Sequence, residues 1–385
     1  MRQRQLNQVR FGRGLTALID RFQSDPNSPI AIAVSGGSDS LALLHAAKAW
    51  ADDTDRRIIA FTVDHRLRPE AALEAQFVAE VCQSLGVEHQ TLAWINPRAT
   101  QNAARRARYR LIGVAMRAVG ARCLLTGHTQ DDVVETMMIR RRHGVRDAMA
   151  IGPAVAAPLP VWPEGYGITV LRPLLESRRS SLQTYLNDLG STWVEDPSNA
   201  DAKFERVRVR QFFARHPRLA EIARQTSRSL RIERQRMDSD FASQLGRVRV
   251  SAEGLIDTDT ADVSIRLMTL LTRVASGSDR DPRAGAVADV LDKVQDPGQR
   301  QTIGGAWLQR ARSGILIGFD PAAAADTLEP DIFDGRYVKD DTARLPSADD
   351  MSFLVRHARP SGDAWRSIIP DRISHIQKCL QTSVS

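Results

Sequence analysis

The feature that most limits what this chain can fold into is Ser35-Gly36-Gly37-Ser38-Asp39-Ser40. It lies between an apolar run, Pro29 to Ser35 (PIAIAVS), and a helical pattern, Ser40 to Trp50. Adjacent glycines let a backbone turn tightly and approach a phosphate with no Cβ in the way. The unpaired N–H groups at the start of the following helix, at the positive end of its dipole, suit an anion. Ser35, Ser38 and Ser40 add hydroxyl donors, and Asp39 is a candidate magnesium ligand beside the phosphates. The loop has no lysine and fits neither GxxxxGK[ST] nor GxGxxG. SGGS by itself also reads as a Ser/Gly turn capping an ordinary helix.

The strand–helix alternation continues after this loop. Arg57 to Asp64 (RIIAFTVD), Glu88 to Trp94 and Arg122 to Thr126 (RCLLT) are predicted strands. Helices are predicted from about Pro69 to Leu85, Asn102 to Val119 and Asp131 to Arg142. Continuous apolar strands separated by helices predict an α/β fold, a doubly wound parallel sheet covered on both faces. Ligands in such a sheet sit beyond the carboxyl ends of the strands. Gly152 to Pro173 is rich in proline and glycine and is expected to be a connection or short hairpin before a helix at Ser177 to Leu189. Beyond His216 the pattern is of helices of mixed charge. Gly304 to Phe319 alternates like a hairpin, and the stretch from Pro321 onward is polar and irregular. The expected division is a nucleotide domain at 1–216, a helical second domain at 217–320 and a small C-terminal region at 321–385.

Candidate site residues follow the strands. Val63-Asp64-His65-Arg66-Leu67-Arg68 ends the second strand, and Arg105 to Arg110 (RRARYR) lies on a helix. Gly127-His128-Thr129-Gln130-Asp131-Asp132-Val133-Val134-Glu135-Thr136 follows the fourth strand. Asp131 and Glu135 are four apart on a helix and share a face, with Asp132 on the flank and His128 at the entry. Acidic residues are favoured at a helix start, so these carboxylates read either as helix-terminal decoration or as a site for magnesium or an amine. RRARYR reads as a solvated basic face or as an RNA contact. Glu195-Asp196-Pro197-Ser198-Asn199 reads as a turn and cap, and the following KFERVRVR, as a helix, would spread its charges around the surface.

In order, SGGSDS, VDHRLR, RRARYR, GHTQDDVVET, Arg172-Pro173-Leu174-Leu175 and DPSN with FERVRVR resemble the elements of the tRNA(Ile)-lysidine synthetase family. That family falls in the PP-loop ATP-pyrophosphatase superfamily, with an adenine nucleotide alpha hydrolase-like fold. The resemblance spans roughly Ile30 to Arg210. Thr129 and Val133 stand where the family often carries a histidine and a glutamine, and Val207 replaces its usual asparagine. The resemblance implies an enzyme that uses ATP as substrate, with Mg²⁺, to adenylate C2 of the wobble cytidine in tRNA(Ile) bearing a CAU anticodon. Free L-lysine then joins that carbon to form lysidine, AMP and pyrophosphate are released, and decoding changes from AUG to AUA. By the same resemblance Asp39, Asp131, Asp132 and Glu135 are catalytic. Ser35, Gly36, Gly37, Ser38, Asp39, Ser40, Asp64 and His128 would bind ATP or pyrophosphate. Arg68, Arg105, Arg110 and Arg206 would contact tRNA or phosphate, and Asp39 and Asp132 would hold Mg²⁺. A homodimer is an expectation carried over from some relatives.

Composition bears on the alternatives. A related tRNA thiolase would need a cysteine pair or an iron–sulfur cluster, whereas Cys82, Cys123 and Cys379 are scattered. An NAD-synthetase-like ligase would not require a net charge of +7 or a pI near 9.7. That charge favours a polyanionic partner, although the excess of arginine over only five lysines also fits a GC-rich genome. A nucleotide- or RNA-binding protein that kept the fold without catalysis would be expected to lose Asp39, Asp131 and Glu135 first. No apolar run reaches the ~18 residues of a membrane span, and Met1 to Leu15 has no apolar signal core. A cytoplasmic location without membrane attachment is the expectation.

Overall fold

The computed structural model describes residues 12, 14–23, 25–67, 70–95, 97, 100–195, 201–251, 254–323, 328–329, 332–333, 336–339 and 365–382. The chain divides into two compact units. One comprises Met1–Leu159, Ile168–Asp238 and Thr382–Ser385, and the other Pro160–Gly167 and Ser239–Gln381.

The first unit is built on strands that are apolar on both faces. β1 (Ile30–Ala33) and β4 (Cys123–Thr126) are almost wholly buried, which is what helices on both sides of a parallel sheet require. With β2 (Ile58–Asp64), β3 (Glu88–Ala93), β5 (Ala156–Pro158) and β6 (Thr169–Leu171) they form a sheet of order β3-β2-β1-β4-β6-β5. The β1–β2, β2–β3, β1–β4 and β4–β6 pairs are parallel, and only edge strand β5 runs antiparallel. The segment expected to be a connection or hairpin thus adds a parallel strand, β6, as well as β5. Three-residue strands among prolines and glycines are too short to show a period.

Helices α1 (Ser38–Thr54), α2 (Glu70–Ser84), α3 (Gln101–Ala118) and α4 (Gln130–Arg142) alternate with the strands. The core joins Ile30 and Ile32 to Leu41 and Leu44 of α1, Val78 of α2 and Leu125 of β4. Each such side chain contributes roughly 1.5–3 kcal/mol by leaving water. After β1 the chain winds out to β2 and β3, then returns to place β4 on the other side of β1. The carboxyl ends of β1 and β4 therefore flank the point where the winding reverses, and a crevice opens there. Both glycine-containing loops, 35–40 and 127–132, leave the sheet at that crevice. Helices α5 (Arg179–Asp188), α6 (Glu205–Arg215) and the start of α7 (Pro217–Leu245) complete the unit.

The second unit carries helices, as expected at 217–320, and the hairpin expected at Gly304 to Phe319, but that hairpin belongs to a larger sheet that was not expected. Its core contains an antiparallel sheet, order β7-β8-β11-β10-β9, from Arg249–Val250, Ile256–Asp257, Ile315–Phe319, Ala306–Arg310 and Arg300–Ile303. Helices α8 (Ile265–Ala275) and α9 (Ala284–Lys293) pack with it through Leu267, Leu271, Val287, Leu308 and Ile317. The boundary near 216 also moves, because α7 runs unbroken to Leu245 and the compact division falls within it at Asp238. Strands of two residues carry no alternation to read. In the C-terminal region the described strands Leu328–Glu329, Ile332–Phe333, Tyr337–Lys339 and Trp365–Ser367 form an antiparallel sheet of their own, whereas the last helix joins the second core. α10 (Ile369–Thr382) puts Ile369, Ile373 and Ile376, one face of a helix, into the second core.

Candidate active site

The loop after β1 is held by its own serines. Ser40 Oγ donates to the Gly37 carbonyl at 2.9 Å and accepts from the Ser35 N–H at 3.1 Å, with Ser35 Oγ 3.3 Å away. Gly36 sits at φ +83°, a left-handed conformation that side chains resist, and a Cβ there would meet Val78 and Val194 at 3.3 Å. Its carbonyl accepts from the Val194 N–H at 2.9 Å. Gly37 is the N-cap of α1 and offers no side-chain acceptor; the Ser40 N–H turns back to the Gly37 carbonyl, and those of Ser38 and Asp39 stay available to an anion. Ser38 and Asp39 follow in that turn, Ser38 buried and Asp39 half-buried.

The loop after β4 closes on this turn. A Cβ on Gly127 would lie 2.9 Å from the carbonyl carbon and oxygen of Asp39, so glycine permits the two loops to touch backbone to backbone. Thr129 caps α4 by accepting from the Asp132 N–H, while Asp132 Oδ2 accepts from the Thr129 N–H and hydroxyl at 2.9 Å each. Thr129, at the position where the resemblance implies a histidine, is thus a helix cap. Val133, in place of glutamine, is buried with Met137 and Ile151. His128 Nδ1 lies 2.9 Å from Thr126 Oγ1. Burial, then the nearby charge of Arg172, pulls its pKa down to about 4, so the ring is neutral at neutral pH.

Arg179, the first residue of α5, ties these parts together. Its Nε donates to Asp39 Oδ2 at 2.8 Å, its Nη1 lies 3.4 Å from Glu135 Oε1, and its Nη2 lies 3.6 Å from Asp132 Oδ2. Its main-chain N–H donates to Asp131 Oδ2 at 2.8 Å. Asp132 and Glu135, three apart, therefore turn to the shared guanidinium, while Asp131 holds the main chain beside it. From α6, Arg210 donates to Glu135 at 2.7 and 3.2 Å, and Arg206 lies 3.5 Å from Glu135 and 3.6 Å from Asp132. KFERVRVR does not spread its charges as expected. Val207 and Val209 are buried, and Arg206 and Arg210, one turn apart, share the site-facing side.

Three carboxylates, Asp39, Asp132 and Glu135, thus meet three guanidiniums, and Asp131 holds the Arg179 main chain. Burial raises the pKa of Asp39, opposed by Arg179. Burial would raise that of Asp132 as well, but Arg179, the Thr129 N–H and neighbouring cations outweigh it and hold it below the usual range. Arg179 is held above the usual arginine range, because Asp39, Asp132 and Glu135 together overcome its own burial.

Asp39 Oδ1 is buried with no hydrogen-bond partner among the described residues. No group of three acidic, histidine or cysteine side chains among them is arranged to hold a metal. A magnesium ion fits here as one that takes a carboxylate oxygen and completes its shell with phosphate and water. Asp132 has Oδ2 committed to the cap and Oδ1 at 3.6 Å from Arg206 Nη1, so Asp39 Oδ1 is the better placed of the two for such an ion.

Other expected residues sit at the margin. Asp64 accepts from the Arg66 N–H at 2.9 Å and shapes the turn in which Arg66 adopts φ 51°. Arg105 is exposed and stacks over Tyr109 at 5.1 Å, and Arg110 is exposed on the same helix. Arg68 and Asp196-Pro197-Ser198-Asn199 lie outside the described residues.

Residues 8–216 match the PP-loop domain family. The chain is 35% identical over 319 residues to a tRNA(Ile)-lysidine synthase of Hyphomonas neptunium, spanning 80% of this chain and 86% of that one. It is 34% identical over 325 residues to that of Caulobacter vibrioides, spanning 83% and 72%. It is 33% identical over 356 residues to that of Brucella anthropi, spanning 84% and 76%. The chain belongs to the tRNA(Ile)-lysidine synthase family. By family it is an enzyme, an ATP-dependent ligase with a PP-loop domain. In this synthase fold Arg179 is the residue that sequence reasoning missed. It sits beside Arg178 in an SRRSS run, and its importance comes from residues of two helices, α1 and α4, more than forty positions away in sequence.

Proposed function

We propose that this enzyme forms lysidine at the wobble cytidine of tRNA(Ile) with a CAU anticodon, in two steps in one crevice. The observation that carries the reading is the Arg179 cluster, which brings Asp39, just past the phosphate-loop glycines, to Asp132 and Glu135 of α4.

In the first step the cytidine O2 attacks the α-phosphorus of ATP. The O2–P bond forms, the bond to the bridging oxygen breaks, and pyrophosphate leaves with the electron pair. The Ser38 and Asp39 N–H groups that open α1 and the hydroxyls of Ser35 and Ser38 hold the departing charge where it develops, on a loop that Ser40 fixes through Gly37. Asp39 Oδ1, with Asp132 beside it, would hold magnesium, whose charge would offset part of that of the pyrophosphate. Neutral His128, held at Nδ1, keeps Nε2 for the nucleotide, and Asp64 shapes the neighbouring turn.

In the second step the ε-amine of free L-lysine attacks C2, and the C2–O bond breaks with AMP taking the electron pair. Carboxylates among Asp131, Asp132 and Glu135 orient the lysine ammonium and accept the proton it sheds. Arg105 and Arg110, with Arg68, offer phosphate contacts that orient the RNA without reading it. Arg206, paired with two of the carboxylates yet half-exposed, stands where an RNA phosphate and the site meet. The anticodon base is single-stranded and can be splayed into the crevice. A homodimer and a cytoplasmic location accord with this reading.

Pyrophosphate and AMP release from ATP tests it. Release should require the CAU transcript, and AMP release should rise with added lysine. ATP cleavage driven by a small amide acceptor without RNA would instead indicate a small-molecule ligase.

A further inference from the structure

A second basic site lies farther along α4. A cavity of about 130 Å³ opens between the end of α4, the 151–155 segment and α7. A single water needs roughly 10–15 Å³ of such space, so a tetrahedral anion has room. Three arginines line it, Arg140, Arg231 and Arg234, against one carboxylate, Asp238. Arg234 Nε donates to Asp238 at 2.9 Å. The other two are oriented mainly by main-chain oxygens. Arg140 donates to the Ile151 carbonyl at 2.8 Å, and Arg231 to the Leu175 carbonyl at 3.2 Å. Carbonyls fix a guanidinium without neutralising it. Arg231 also reaches Glu176, but that carboxylate is 89% exposed and solvent weakens the pair.

Gly152 is part of the construction. A Cβ there would stand 2.8 Å from Arg140 Nη1 and 3.3 Å from its Cζ, so the guanidinium lies where only glycine admits it. Burial, opposed by Glu176 and aided by the like charge of Arg228, holds the Arg231 pKa below the usual arginine range. Arg140 lies five residues beyond Glu135 on α4, about 8 Å along the helix axis.

We propose that this cavity is a phosphate site that takes one backbone phosphate of the RNA near the reacting nucleotide. It rests on the reading that the substrate is RNA. Arginine forks suit phosphate oxygens, and a phosphate relieves the crowding of three like charges.

The test uses the full-length protein, a CAU anticodon stem-loop RNA and inorganic phosphate as probes. Dissociation constants are measured from 50 to 300 mM salt for wild type, the Arg231→Gln/Arg234→Gln double variant and Gly152→Ala. Arg228→Gln, outside the cavity, reports the effect of removing a surface charge. ATP affinity reports an intact fold. The expected result is RNA binding about tenfold weaker in the first two variants, with the salt slope reduced by about 0.7 relative to Arg228→Gln. Gly152→Ala is informative because it keeps every charge and displaces only Arg140. RNA bound with unchanged affinity and slope by both cavity variants would overturn the proposal. So would stabilisation by inorganic phosphate that the double variant loses while its RNA binding is untouched, which would mark a free-phosphate site. Failure of lysine transfer to a tRNA that is still bound would count against lysidine synthesis and leave this site standing.

Discussion

Replacing Arg179 by glutamine should destabilise the first unit in a way that acid partly reverses. Glu135 would keep Arg210 and Arg206, and Asp132 would keep its cap and Arg206. Asp39 would lose the guanidinium on Oδ2 while Oδ1 already lacks a hydrogen-bond partner. Breaking a buried pair costs about 3–5 kcal/mol. The lower end applies, because Asp39 is partly accessible and can take up a proton. For a unit of this size about 3 kcal/mol corresponds to a fall in Tm of roughly 6–12 °C. The pH dependence has a definite sign. Burial already raises the folded-state pKa of Asp39, and loss of Arg179 raises it further. A carboxylate with a raised folded pKa penalises the fold at high pH and releases that penalty as pH falls through the folded value. The gap between wild type and Arg179→Gln should therefore be widest near pH 8 and shrink toward pH 5. Scanning calorimetry without nucleotide, at pH 8, 7, 6 and 5, measures it. A gap below about 1 °C at pH 7, or one that widens on acidification, would refute the reasoning.

Three further outcomes are expected. Gly127→Ala pushes a Cβ against the Asp39 main chain, at about 1–3 kcal/mol for overpacking, and should weaken ATP binding at least tenfold by titration calorimetry. Undiminished affinity would mean that the loops do not need this contact. His128, with a pKa near 4 against an ordinary 6.5, supports the fold fully above pH 6.5 and loses that contribution as pH falls to about 4. His128→Asn should accordingly flatten the acid side of the Tm profile over that window, and a parallel profile would count against a buried neutral ring. Glu135→Gln keeps the shape but leaves Arg179, Arg206 and Arg210 with one fewer counter-charge. Lysine transfer should fall by about 100-fold or more with ATP affinity changed little; equal loss of both would place Glu135 in nucleotide binding instead.

The parallel sheet was legible because β1, β2 and β4 are continuous apolar runs, each ending at a polar motif. The phosphate loop was legible because two glycines and three hydroxyls fall between a strand and a helix, where chain geometry leaves few other uses for them. Arg179 was not legible. Its three carboxylate partners lie on the first turns of two other helices, α1 and α4, and nothing local separates it from neighbouring Arg178, which pairs with Glu221. Local periodicity likewise failed for β6 through β8, at two or three residues each. The α10 face was hidden because Ile369, Ile373 and Ile376 are diluted by polar neighbours and show only once turned on a helix. The departures from the family pattern became intelligible as packing: Thr129 caps, while Val133 and Val207 fill buried space.

The most direct test of the central claim is transfer of radiolabelled lysine to an isoleucine tRNA transcript bearing CAU, with ATP and Mg²⁺. Asp39→Ala serves as the chemical control and a methionine tRNA as the specificity control. The account predicts label on the isoleucine transcript with the wild-type protein and none with either control. No label on any tRNA, from protein that still binds ATP, would contradict it.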